Sequence, residues 1–106
     1  MEPLERIGRA TADVLGALLD GDHPRWGLEI VKLTGRPSGS VYPVLDRLER
    51  AGWVTSSWED DTDRRGPRRR LYVLTADGAR EAVKVCARRA GTARAARPAL
   101  GAEAGR

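Results

Sequence analysis

Between Trp53 and Leu74 the chain abandons helical spacing, and this stretch limits the possible folds more than any other. Trp53–Trp58 is rich in β-branched and aromatic residues and reads as a strand, and Arg69–Leu74 reads as its partner, with Tyr72 and Leu74 on one face. Between and into them runs "EDDTDRRGPRRR", Glu59 to Arg70, which places five arginines in Arg64–Arg70 directly after four acids. The run is too polar to be core, and Gly66-Pro67 supplies a bend. The arrangement that satisfies all of this is a β-hairpin with a basic tip.

On either side the spacing is helical. Leu4, Ile7, Thr11, Val14, Leu15, Leu18 and Leu19 recur at three- and four-residue steps, which predicts one helix of about four turns. Asp20-Gly21-Asp22-His23-Pro24 closes it. A short second helix is expected from Arg25 to Leu33, with Trp26, Ile30 and Leu33 inward and Gly35 at its end. Ser38 or Ser40 caps a third helix. With Ser40 as the cap, Pro43 falls in the first turn at no cost; with Ser38, one hydrogen bond is lost. Either way Val41, Val44, Leu45 and Leu48 face inward, while Gly39, Pro43, Asp46, Arg47 and Arg50 face outward. Ser40 and Tyr42 lie at the border, and Gly52 is the stop. Thr75 caps a fourth helix from Ala76 to about Ala90, with Asp77 in its first turn. Residues 1–90 then form one domain, and the Ala/Arg/Gly-rich tail, 91–106, is expected to be disordered.

The order helix, helix, helix, strand, basic loop, strand, helix is that of a winged helix-turn-helix: mainly α, with a three-helix core, a two-stranded β-wing and a C-terminal helix. Such a fold reads DNA with a helix whose back is apolar and whose front is polar, here residues 38–51 in the major groove. The basic wing, 60–70, neutralises phosphate through Arg64, Arg65, Arg68 and Arg70. Arg69 alternates with its neighbours, so at least one of Arg68, Arg69 and Arg70 must point away from the duplex. Arg47 and Arg50 are candidates for base or phosphate contact and Arg36 for phosphate; in the blander reading Arg47 pairs with Asp46 or Glu49.

Composition agrees and excludes rivals. The net charge is +4 and the pI near 10.0, and the cations are nearly all arginine, with lysine only at 32 and 84. Arginine forks onto phosphate and guanine, although a GC-rich genome explains the bias equally well. With 5% aromatics and no Phe, the core must be Leu, Val, Ile and Ala. Trp26, Trp53 and Trp58 read as core plugs, with Trp58 the candidate for a surface position. One Cys (Cys86) and one His (His23) cannot form an internal disulfide, a metal cluster or a nucleophile–base–orienter set. No enzyme, metal or cofactor is expected, no apolar run resembles a signal peptide or membrane span, and a reducing cytoplasm fits.

One resemblance is more specific. Gly27-Leu28-Glu29-Ile30, Ser38-Gly39-Ser40-Val41-Tyr42-Pro43, Leu45-Leu48-Glu49-Gly52, Trp58-Glu59 and Leu74-Thr75-Gly78 resemble the PadR family of winged-helix transcriptional regulators over about Thr11 to Ala82. The resemblance implies that Ser38, Ser40, Tyr42 and Pro43 begin the reading helix, with hydroxyls on phosphate; capping by the serines and a spacer role for Tyr42 are the alternatives. It implies a homodimer on palindromic double-stranded DNA, usually repressing transcription. The C-terminal and first helices would form the interface, here Leu4, Ile7, Val83, Cys86, Ala87 and Ala90. A small-molecule effector near that interface is implied too, but the fourth helix carries no aromatic residue to stack one. Two other roles compete: a winged-helix module that docks a protein, and a DNA-binding accessory factor of a mobile element. The outer face of the third helix shows Gly, Ser, Asp and Arg rather than apolar anchors, which favours DNA.

Overall fold

The alternation of periods resolves, among the described residues, into α1 (Arg9–Leu19), β1 (Arg25–Trp26), α2 (Gly27–Thr34), α3 (Ser38–Arg50), β2 (Val54–Trp58), β3 (Arg70–Leu74) and α4 (Ala76–Ala96). The computed structural model describes residues 1–4, 6–60 and 66–96. The sheet is antiparallel in the order β1-β3-β2, so the hairpin carries a third strand beyond the two expected. β1 escapes sequence reading because its two residues are too few to show a period.

α1 is shorter than expected. Leu4 and Ile7 precede it, and Gly8, extended at its N-cap, begins the helix after them. The described residues before it form a strap instead: the Glu2 N–H donates to the Ala51 carbonyl (2.8 Å), and Trp53 Nε1 donates to the Glu2 carbonyl (2.7 Å). Tertiary hydrogen bonds and the helix-weakening Gly8 outweigh the apolar spacing. Leu4 and Ile7 remain partly buried against the core.

α2 starts two residues later than expected, because Arg25 and Trp26 pair with Tyr72 and Leu71 of β3. Glu29 reaches back to accept from the Trp26 N–H (3.2 Å), one half of a capping box. Its inner side is Gly27 and Ile30 rather than Leu33, which is 53% exposed. Gly35 ends the helix in a left-handed turn.

α3 takes neither serine as its cap. Pro37 occupies that position in extended conformation, and its carbonyl accepts from the Ser40 and Val41 N–H groups. Pro37 lacks an N–H and has φ preset, so the helix begins directly after it. Pro43 then lies inside the helix, and the Gly39 carbonyl loses its partner four residues on. The C-terminus is a Schellman motif: Gly52 N–H donates to Glu49 and Trp53 N–H to Leu48. This requires φ of 85° at Gly52, a value that only glycine reaches without strain.

Val41, Val44, Leu45 and Leu48 are buried as expected, joining Val14, Leu15, Ile30 and Val54 in the core. Truncating Leu45 or Leu48 to Ala should cost about 2–5 kcal/mol. Thr75 caps α4: its hydroxyl accepts from the Gly78 N–H and donates to the Gly52 carbonyl, both at 2.9 Å. Gly78 is pressed onto the residue that precedes β2, where a Cβ would lie 2.0 Å from the Trp53 carbonyl. The helix continues to Ala96, six residues beyond the expected end and into the segment read as a tail. Alanine and arginine favour helix enough to carry it through Gly91.

Candidate nucleic-acid interface

The outer side of α3 is open. Ser38, Gly39, Tyr42, Pro43, Asp46, Arg47 and Arg50 are all exposed, and Ser40 is half-buried. Neither serine makes a capping bond, so both hydroxyls flank the positive end of the helix. Arg50 pairs with Asp46 one turn back (2.9 Å), an exposed and therefore weak pair. Among the described residues no ion pair engages Arg47, so the pairing considered for it is not made. Tyr42 is 38% exposed, but its ring leans on α2: a Cβ on Gly27 would meet the Tyr42 hydroxyl at 2.5 Å. Gly27 thus leaves room for the tyrosine between the two helices.

The hairpin has two chemically different faces. Val54, Ser56 and Trp58 stand opposite Leu74, Tyr72 and Arg70, so these six share one face. That face looks toward α3. Ser56 Oγ donates to Glu49 (2.5 Å), and the Arg70 guanidinium lies 3.9 Å from the same carboxylate. Arg70 also sits 5.0 Å over the Trp58 ring. Burial pushes the Tyr72 hydroxyl pKa up, with the nearby Arg70 opposing and Glu49 adding to the rise. Glu49 therefore ties the wing to α3, a role that no local pattern announced.

The opposite face carries Leu71, Val73 and, from β1, Trp26. Arg69 belongs here: its guanidinium lies 3.8 Å over the Trp26 ring, and its backbone pairs with Glu59. Arg69 is thus the arginine that points away from α3, as alternation required. Its Nε is buried without a partner. Arg68 is exposed, whereas Arg64 and Arg65 lie outside the described residues.

Arg36 is not free. Its Nε donates to Asp13 of α1 (2.7 Å), and Arg89 of α4 holds the other oxygen of the same carboxylate. Burial alone would raise the Asp13 pKa, but hydrogen bonds from Arg36 and Arg89 and their charges hold it below its ordinary 3.8. This cluster joins α4 to the residue pair preceding α3. Similarly, buried Arg25 donates to Glu29 (2.6 Å) and to the Ala17 carbonyl (3.2 Å).

The α4 residues expected at an interface divide. Val83 is 55% exposed, and Ala87 and Ala90 are exposed on the same side. Cys86 is half-buried against α1, where a Cβ on Gly16 would lie 3.9 Å from its sulfur. Burial pushes the thiol pKa up, which disfavours the reactive thiolate. A groove of about 520 Å³ runs here between α1, α2 and α4; Asp13, Gly16, Leu33, Thr34 and Cys86 line it, and no aromatic residue does. Among the described residues no group of His, Cys, Asp and Glu could hold a metal, and no helix is long and apolar enough to cross a membrane.

A model of the family described as "Transcriptional regulator PadR-like family" matches residues 14–84. No curated protein matches the chain. Among solved structures, a putative DNA-binding protein from Ralstonia eutropha is 28% identical, with 76% of this chain and 98% of that one covered and a TM-score of 0.59. A PadR-like transcription factor from Bacteroides fragilis is 22% identical over 80% of this chain and 84% of that one, TM-score 0.61. Bacillus subtilis PadR, solved in complex with operator DNA, is 20% identical over 74% of this chain but only 47% of its own, TM-score 0.62. At these identities the last two likenesses bear on the fold: a winged helix.

Proposed function

Because the chain belongs to the PadR-like family of transcriptional regulators, we propose that it is a sequence-specific DNA-binding repressor acting as a homodimer on a palindromic operator. The carrying observation is the pairing of two surfaces: the open polar side of α3 and, across Glu49, the Arg70 face of the wing. The reading helix is about 20 Å long and enters the major groove. Arg47, with no ion pair among the described residues, reads base edges. Ser38, Ser40 and the helix N-terminus take phosphate, as do Arg68 and Arg70 of the wing and, beyond the described residues, Arg64 and Arg65. Pro43 and Tyr42 shape the approach, and Arg50 and Arg36 exchange their carboxylate partners for phosphate.

The exposed side of α4 supports dimerisation: Val83, Ala87 and Ala90 form a small apolar stripe that a second copy covers. Cys86 flanks it, and Leu4 and Ile7 stabilise the strap behind it. A two-fold dimer would read half-sites one helical turn apart, about 34 Å. The complex of the Bacillus subtilis neighbour with operator DNA supports the reading by analogy of fold.

Anisotropy titration of labelled genomic fragments over a salt series tests it. Affinity should fall steeply with salt, and sequence selection should return a palindrome. Arg47→Ala should alter preference at one operator position by about 1–3 kcal/mol while leaving general affinity nearly unchanged. Absence of binding to every fragment at low salt would leave only a protein-docking role.

A further inference from the structure

Trp58 is 57% exposed at the end of β2, although most of the face it belongs to is buried or half-buried. Along that face Val54 and Tyr72 are buried in the core and Ser56 is bonded to Glu49. Past Glu49 the core ends, and the face continues outward as the cross-strand pair Trp58–Arg70. An indole gains little by standing in water at that point, since its burial would release an apolar surface of about 150–250 Å². The Arg70 guanidinium over its ring turns the pair into a plate that is apolar on one side and cationic at its edge. A deoxyribose with its flanking phosphate offers the matching pattern: an apolar sugar surface beside an anion.

We propose that Trp58 is a DNA-contacting residue whose indole packs on a deoxyribose of the duplex while Arg70, steered by that ring, takes the adjacent phosphate. The inference rests on the reading of the chain as a DNA-binding protein and adds a residue to its interface. Duplex DNA is the occupant favoured here because Arg70 gives the plate a cationic edge and Glu49 joins its face to α3, whose exposed side carries Arg47. The contact carries no base information. It sets how closely the wing seats, and its apolar part is insensitive to salt.

The test compares wild type, Trp58→Ala, Trp58→Phe and Trp26→Phe by anisotropy on one selected duplex and one random duplex, with thermal unfolding as a check on folding. Trp58→Ala should weaken binding to both duplexes by roughly tenfold. Its salt slope should fall by no more than the single contact that Arg70 supplies. Trp58→Phe, which keeps an aromatic plate, should recover most of the affinity. Tryptophan emission should respond to DNA in wild type and Trp26→Phe but not in Trp58→Phe. Wild-type affinity in a folded Trp58→Ala, or a persistent emission response in Trp58→Phe, would overturn the inference while leaving the DNA-binding reading intact. Failure of the wild type to bind any duplex at low salt would remove both.

Discussion

Arg69 and Arg70 are neighbours in one basic run, yet they serve opposite faces of the hairpin. Arg70 lies beside Glu49 and Trp58 on the side of α3, whereas Arg69 is stacked on Trp26 at the back. The same division runs through the rest of the molecule. Arg25 and Arg89 are held by carboxylates of the protein itself, while Arg47 on α3 has no such partner among the described residues. A cation held inside the fold contributes to stability; one directed outward contributes to binding a polyanion. Counting arginines merges these two roles, and only their partners separate them.

The contrast can be broken most forcefully at the wing. Replacing Arg68 and Arg70 together by Ala should lower affinity for all duplexes by roughly 10–100-fold at moderate salt and reduce the log–log salt slope by about 2. Unfolding temperature should barely move. Unchanged binding across a salt series would mean that the α3-facing side of the wing does not meet DNA.

The inward set is tested next at Asp13. Its carboxyl pKa is lowered in the folded state, so its stabilisation is complete above 3.8 and is lost as pH falls through the folded value. Asp13→Asn should therefore cost about 1–2 kcal/mol near pH 7, with the difference from wild type shrinking in acid. Denaturant unfolding at a series of pH values measures this, and a constant difference would show that the Arg36 and Arg89 contacts contribute nothing through charge.

The smallest effect sharpens the comparison within the hairpin. Arg69→Ala should cost about 1 kcal/mol of stability through lost stacking and packing on Trp26. Arg69→Met should be nearly neutral, because the orphaned Nε disappears and an apolar stem remains. Both should keep the wild-type salt slope. A slope lowered as much as in a wing-face variant would make the two faces equivalent.

Much of the architecture was legible from spacing. The inner stripe of α3, the Gly35 and Gly52 stops, the Thr75 cap and the hairpin all rest on short-range rules that act within a few residues. The errors fell where distant segments compete. Leu4 and Ile7 fit a helical stripe, yet hydrogen bonds to Ala51 and Trp53 hold their segment as a strap. Ser38 and Ser40 are good caps, but Pro37 ends the extended turn first. Glu49 and Asp13 could not be singled out, because an acid in an amphipathic helix looks like any other solvated charge until its partners arrive from elsewhere.

Sequence alone settled the order of the four helices and the hairpin, which side of α3 is buried, and that a strongly basic run lies in that hairpin, since these depend on local periodicity and turn chemistry. Tertiary structure alone decided what each charge does. Whether an arginine meets Asp13, Trp26, Glu49 or open solvent depends on residues up to 76 positions away, and electrostatic and stacking energies are set by separation in space rather than along the chain.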